Sequence, residues 1–138
     1  MKTTFKILLF GLTIFWLTGG CSKDDLDLFI VKDFTVIMDE NPVQDQLIGT
    51  IPYEVNRGVT RFLIMSQNVS NAISIINSPG LKYASIYVHN PIIFDFETNP
   101  LIVANVKVNR VQTHLDFSED VLDSKTITIT INLNDLPD

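Results

Sequence analysis

The chain has 138 residues, 46% of them hydrophobic, with ten Lys and Arg against sixteen Asp and Glu, a formal net charge of −6 and one cysteine. An acidic chain without a basic stripe argues against nucleic acid as a partner. A single cysteine leaves no internal disulfide, and the length suits one domain with an adequate core.

Residues 1–20 open with Lys2 and Lys6, then run apolar from Ile7 to Leu17, interrupted by Gly11 and Thr13. Eleven residues are too few for a spanning helix, which needs about 20, and match the apolar centre of a secretory signal. Thr18-Gly19-Gly20-Cys21 follows. It resembles the lipobox of bacterial lipoproteins, although Thr18 and not Leu17 occupies the third place before the cysteine. The resemblance implies cleavage after Gly20 and a diacylglycerol on the Cys21 sulfur, and several acyl chains anchor stably where one is marginal. Ser22, Lys23, Asp24 and Asp25 have nothing to bury and read as a solvated tether. They also resemble the acidic export signal that sends some Gram-negative lipoproteins to the outer face of the outer membrane. Without the signal, 118 residues remain with eight cationic and sixteen acidic side chains, net −8. The expected organisation is a signal over 1–20, lipidated cysteine and tether over 21–30, and one domain over 31–138.

Within that domain, short strands are expected at Phe34–Met38, Ile48–Tyr53, Thr60–Ser66, Ala72–Ile76 and Tyr83–Val88. The intervening Asn41-Pro42, Arg57-Gly58, Ser78-Pro79-Gly80 and Asn90-Pro91 are turn formers. From Leu101 to Gln112, Ile102, Ala104, Val106 and Val108 share one face, and Val103, Asn105, Lys107 and Asn109 the other. The acidic stretch Asp116 to Ser124 reads as a loop rather than a helical turn. From Lys125 to Leu133, Ile127, Ile129, Ile131 and Leu133 alternate with Thr126, Thr128, Thr130 and Asn132, the period of a half-buried strand. Seven short strands with turn punctuation predict an all-β fold, a seven-stranded antiparallel β-sandwich of immunoglobulin type.

Three segments, Met38-Asp-Glu-Asn-Pro42 with Leu47-Ile-Gly-Thr-Ile51, Ile93-Phe-Asp-Phe-Glu-Thr-Asn-Pro100, and Asn132-Leu-Asn-Asp-Leu-Pro137, together resemble the motifs of a bacterial cadherin-like repeat, over about residues 31–137. The resemblance implies a Greek-key sandwich and a Ca²⁺ site held by Glu40, Asp95, Glu97 and Asp135, with Asn134 adding an oxygen. Asn132 and Leu136 replace an Asp and an Asn of the family's linker, and the family completes its cluster with carboxylates of a following repeat. The expectation is therefore a partial site, with an affinity no better than the roughly 10⁻⁴–10⁻³ M of extracellular modules. The residues alone say that Glu40, Asp95, Glu97 and Asp135 stand at strand ends, where convergence at one pole would crowd like charges unless a cation lies between them. Acids solvating loop ends are the alternative.

Nothing in the pattern supplies an enzyme's nucleophile, base or phosphate loop. His89 and His114 lack metal-ligand spacing. Asn68-Val-Ser70 matches a glycosylation acceptor, read as chance. Phe29, Phe34, Phe62, Phe94, Phe96 and Phe117 read as core and rim, while Tyr53, Tyr83 and Tyr87 are the candidates for a ligand patch. The expected role is a membrane-anchored adhesion or interaction module with an unidentified protein or glycan ligand. The alternatives are a glycan- or polymer-binding accessory of an outer-membrane uptake system, and a relic of a longer adhesin.

Overall fold

The computed structural model describes residues 27–78 and 80–137. Residues 1–26, on which the expected signal, lipidated Cys21 and expected export signal fall, lie outside them. Eight strands follow in order: β1 (Phe29–Val31), β2 (Phe34–Asp39), β3 (Leu47–Val55), β4 (Val59–Gln67), β5 (Ile73–Asn77), β6 (Tyr83–Val88), β7 (Leu101–Thr113) and β8 (Glu119–Asn134). A short 3₁₀ turn, Pro91–Ile93, separates β6 from β7. The strands form two four-stranded sheets, β1-β3-β6-β5 and β2-β8-β7-β4.

Alternation builds the core. In β7 the side chains of Ile102, Ala104, Val106 and Val108 are buried, as are those of Ile127, Ile129, Ile131 and Leu133 in β8. They meet Phe29, Ile51, Tyr53, Ile73, Ile86 and Val88 of the other sheet in one hydrophobic cluster. The Tyr53 and Phe62 rings, one from each sheet, lie 5.7 Å apart and tilted, a favourable aromatic geometry.

Four expectations need correction. Among the described residues the strand count is eight, not seven, because Phe29 and Ile30, expected at the end of the tether, belong to β1 and pair with Val55 and Glu54 of β3. The sheets are not wholly antiparallel, since β2 runs parallel to β8 with Phe34 opposite Ile129 and Asp39 opposite Asn134. Glu119 to Ser124, expected as loop, begins β8, and Arg110 to Thr113 pair with Asp123 to Glu119. At the turn of that hairpin Phe117 is 89% exposed, and so is no part of the core.

Two ends of β7 define two poles. Leu101 pairs with Asn132 and Arg110 with Asp123, so these points stand about 30 Å apart along the strand. At the second pole the chain enters the fold. Asp27 makes two bonds to Arg110, at 2.7 and 3.0 Å. Phe29 packs beneath the Arg110 guanidinium and the Lys125 ammonium, with centroid distances of 5.9 and 5.2 Å. At the first pole β2 and β8 both end, and the acidic motifs gather there.

Candidate metal centre

Each acidic segment reaches the first pole for a local reason. β2 carries Glu40 to its end, and Asn41 then adopts φ 56°, a left-handed conformation that Asn tolerates better than most residues. The Asn41 amide donates to the Phe94 carbonyl at 2.9 Å, which ties this corner to the β6–β7 connection. That connection starts with the Pro91–Ile93 turn and then wraps around Asp95. Asp95 Oδ1 accepts the Glu97 amide at 3.1 Å, and Oδ2 accepts the Thr98 hydroxyl at 2.7 Å. The Asn99 amide donates to the Asp95 carbonyl at 2.7 Å, and Asn99 Nδ2 to the Ile93 carbonyl at 3.0 Å. Beneath them Phe94 is fully buried.

Glu40 joins the segments. Its side chain is 6% exposed. Oε2 accepts the Phe96 amide at 3.0 Å, and Oε1 accepts the Leu136 amide at 2.8 Å. A buried carboxylate needs such partners, and each charge-assisted bond is stronger than a neutral one. The Glu40 amide in turn donates to the Asn134 carbonyl at 3.3 Å.

Glu40, Asp95 and Glu97 each offer a carboxylate oxygen within 4.8 Å of the others. Oxygens on opposite sides of one calcium ion, at about 2.3–2.6 Å from it, stand about 4.6–5.2 Å apart. The spacing fits a hard divalent cation. Two of the expected residues stand differently. Asp135 is not part of this group of three, and Asn134 turns its Nδ2 to Asp39 Oδ1 at 3.1 Å. Thr98, Asn99 and the Leu136 amide shape the site without having been singled out. The Asp-x-x-Thr spacing of Asp95 and Thr98 is a turn signal that could have found the hydroxyl.

Of the group, half-buried Asp95 and exposed Glu97 titrate in opposite directions. The Thr98 hydroxyl, and then the contact with Glu97, hold Asp95 below the ordinary carboxylate range. For Glu97, its own backbone N–H favours the ionised form. The Asp95 carboxyl, desolvation and the Glu40 charge outweigh that, and the pKa lies above the ordinary value. Like charges are crowded here, and a cation would relieve them.

The other residues singled out in the sequence are scattered. His114 Nε2 lies 2.8 Å from Asp120 Oδ2 at the far pole, and His89 lines a groove along β4 and β5. Tyr53 is buried and donates its hydroxyl towards Asn77 Oδ1 and the Leu81 carbonyl. It therefore takes no part in a surface patch with Tyr83 and Tyr87. The Asn68 side chain is occupied: Nδ2 donates to the Leu101 carbonyl and Oδ1 accepts the Val103 amide, at 2.8 and 2.7 Å.

No protein-family model and no curated protein sequence matches the chain. Solved structures do. The chain is similar to the human desmocollin-1 ectodomain, with 19% identity and a TM-score of 0.61 over 79% of this chain and 21% of that one. It is similar to the first two extracellular domains of human protocadherin-24, with 11% identity and a TM-score of 0.61 over 80% and 53%. For the three-domain fragment of mouse protocadherin-24 the figures are 15%, 0.57, 80% and 34%. The chain thus spans about a fifth to a half of the length of these structures. At such identities the likeness concerns the fold, which is the fold of a cadherin extracellular domain.

Proposed function

We propose that the chain is a lipid-anchored, cadherin-like interaction module at the bacterial outer surface, and that its pole away from the anchor takes one calcium ion. The observation that carries this reading is the convergence of Glu40, Asp95 and Glu97 at one end of a cadherin-type fold. Glu40, Asp95 and Glu97 would supply the carboxylate oxygens. Calcium bound there would neutralise crowded charge and stiffen the junction between the β6–β7 connection and the chain leaving β8. Binding of a protein ligand, rather than catalysis, is the role assigned to the module, and a Greek-key sandwich is the architecture that goes with it.

Thermal unfolding of the mature chain in calcium and in chelator tests the proposal. With a Kd of about 10⁻⁴–10⁻³ M, 10 mM calcium adds roughly 1.4–2.7 kcal/mol, which raises the midpoint by about 5–15 °C. Glu97→Ala should remove most of that gain. An unchanged gain in the variant refutes the assignment, and no gain in the wild type refutes calcium at this pole.

A further inference from the structure

The second pole carries a feature that the fold does not need. β4 stops pairing with β7 at Val59 opposite Val111, yet β7 and β8 continue as a two-stranded hairpin. The turn is closed by the Ser118 carbonyl accepting the His114 amide at 2.9 Å, and by the His114 carbonyl accepting the Phe117 amide at 3.0 Å. Its apolar side chains face water: Leu115 is 102% exposed and Phe117 89%, with Val121 and Leu122 exposed behind them. Phe117 holds φ 63°, a conformation suited to Gly or Asn and costly for a bulky residue. A strained, fully exposed Phe at a turn contradicts local folding preference, and such contradictions mark functional positions.

Position says what covers this tip. Asp27 is bonded to Arg110, and Leu115 lies five residues further along the hairpin, about 17 Å out. Five residues separate Cys21 from Asp27, so a lipid on Cys21 holds the bilayer within about 20 Å of Asp27. The reach of the hairpin and the reach of the tether match. The acids around the tip are already engaged. Asp116 Oδ1 accepts the Ser118 amide and hydroxyl, at 3.1 and 2.6 Å. Glu119 pairs with Arg61 at 2.6 Å and Asp120 with His114 at 2.8 Å. These pairings lower the cost of bringing the carboxylates into a headgroup layer.

We propose that the 114–118 turn is a second membrane foot, in which Leu115 and Phe117 enter the interface of a zwitterionic bilayer beside the lipid anchor. The proposal rests on the anchoring of Cys21. A mature net charge of −8 disfavours strongly anionic leaflets, and the shallow insertion resembles in depth that of interfacial helices.

The mature chain has no tryptophan, the only one being Trp16 of the signal, so an introduced Trp reports alone. Lipidated protein carrying Phe117→Trp, or Ile92→Trp at the opposite pole, is reconstituted into phosphatidylcholine vesicles with brominated acyl chains. The expected result is blue-shifted, quenched emission for position 117 and water-like emission for position 92. Flotation with water-like emission at 117 overturns the membrane foot and leaves the anchor standing. Failure of the wild-type chain to float overturns the anchor and the foot together, and flotation undiminished in Cys21→Ala overturns the anchor from which the foot is argued. Emission at 117 that becomes shielded on native envelope vesicles but not on pure lipid assigns the tip to another envelope component and overturns the assignment to a zwitterionic bilayer.

Discussion

Replacing Glu40 tests the architecture of the acidic pole without any ion. The side chain is nearly buried and accepts two backbone amides, from Phe96 and Leu136. A bond to a charged group contributes about 1.5–3 kcal/mol net, and an amide left unsatisfied in a buried place adds to the loss. Glu40→Ala removes both bonds and frees both segments, a loss of roughly 3 kcal/mol or more. For a domain of this size that is a fall in the unfolding midpoint of about 12 °C or more. Glu40→Gln keeps one carbonyl oxygen and presents an NH₂ group to the other amide, so its loss should lie between wild type and Ala. Calorimetry in chelator reads both values with no contribution from bound cation. A fall below about 4 °C for Glu40→Ala would mean that the carboxylate does not hold the corner, and the account of the pole would fail.

Three further outcomes follow from the same kind of reasoning. Asp27→Asn strips the Arg110 guanidinium, 4% exposed, of its carboxylate and should lower the midpoint more than Glu119→Gln, which touches an exposed pair. Arg110 holds Asp27 below the ordinary carboxylate range, so the pair stabilises the fold at neutral pH. That contribution is lost as pH falls below about 4 through the depressed value, and the acid limb of stability against pH should flatten in Asp27→Asn. Gly58→Ala places a Cβ 2.5 Å from the Val111 carbonyl oxygen at φ 78°. The left-handed conformation alone costs about 1–2 kcal/mol, so chemical denaturation should show a loss above that. Phe94→Ala opens a cavity beneath the Asp95 loop and should cost about 3–5 kcal/mol, with a weaker calcium response in the same melt.

The long strands were legible because burial on one face writes a period of two into the sequence, and β7 and β8 carry it over four buried side chains each. β1 was not. Three residues, Phe29 to Val31, are too short for a period, and the acids before them look like tether although Asp27 is held by Arg110. The start of β8 was hidden for the opposite reason. Glu119 to Ser124 are exposed on both faces, so the backbone ladder to β7 organises them and no alternation results. β2 is an edge strand with one face partly buried, so it carries the same alternation whichever way it runs, and its parallel pairing with β8 cannot be read from that pattern. At the acidic pole, Glu40, Asp95 and Glu97 were recoverable from their motifs. The diversion of Asn134 to Asp39 depends on a contact across the β2–β8 pair that only the folded chain creates.

That parallel pair determines how the domain bears load. β2 leads from the pole where Asp27 is bound towards the pole where Asn134 leaves β8, over a register of six residue pairs. A pull applied between Asp27 and Asn134 therefore slides β2 and β8 past each other lengthwise. Their hydrogen bonds lie across the direction of force and must yield together, not one after another as in a peeled hairpin. Under a load applied between these two ends, the domain would resist stretching along the strands rather than peel open.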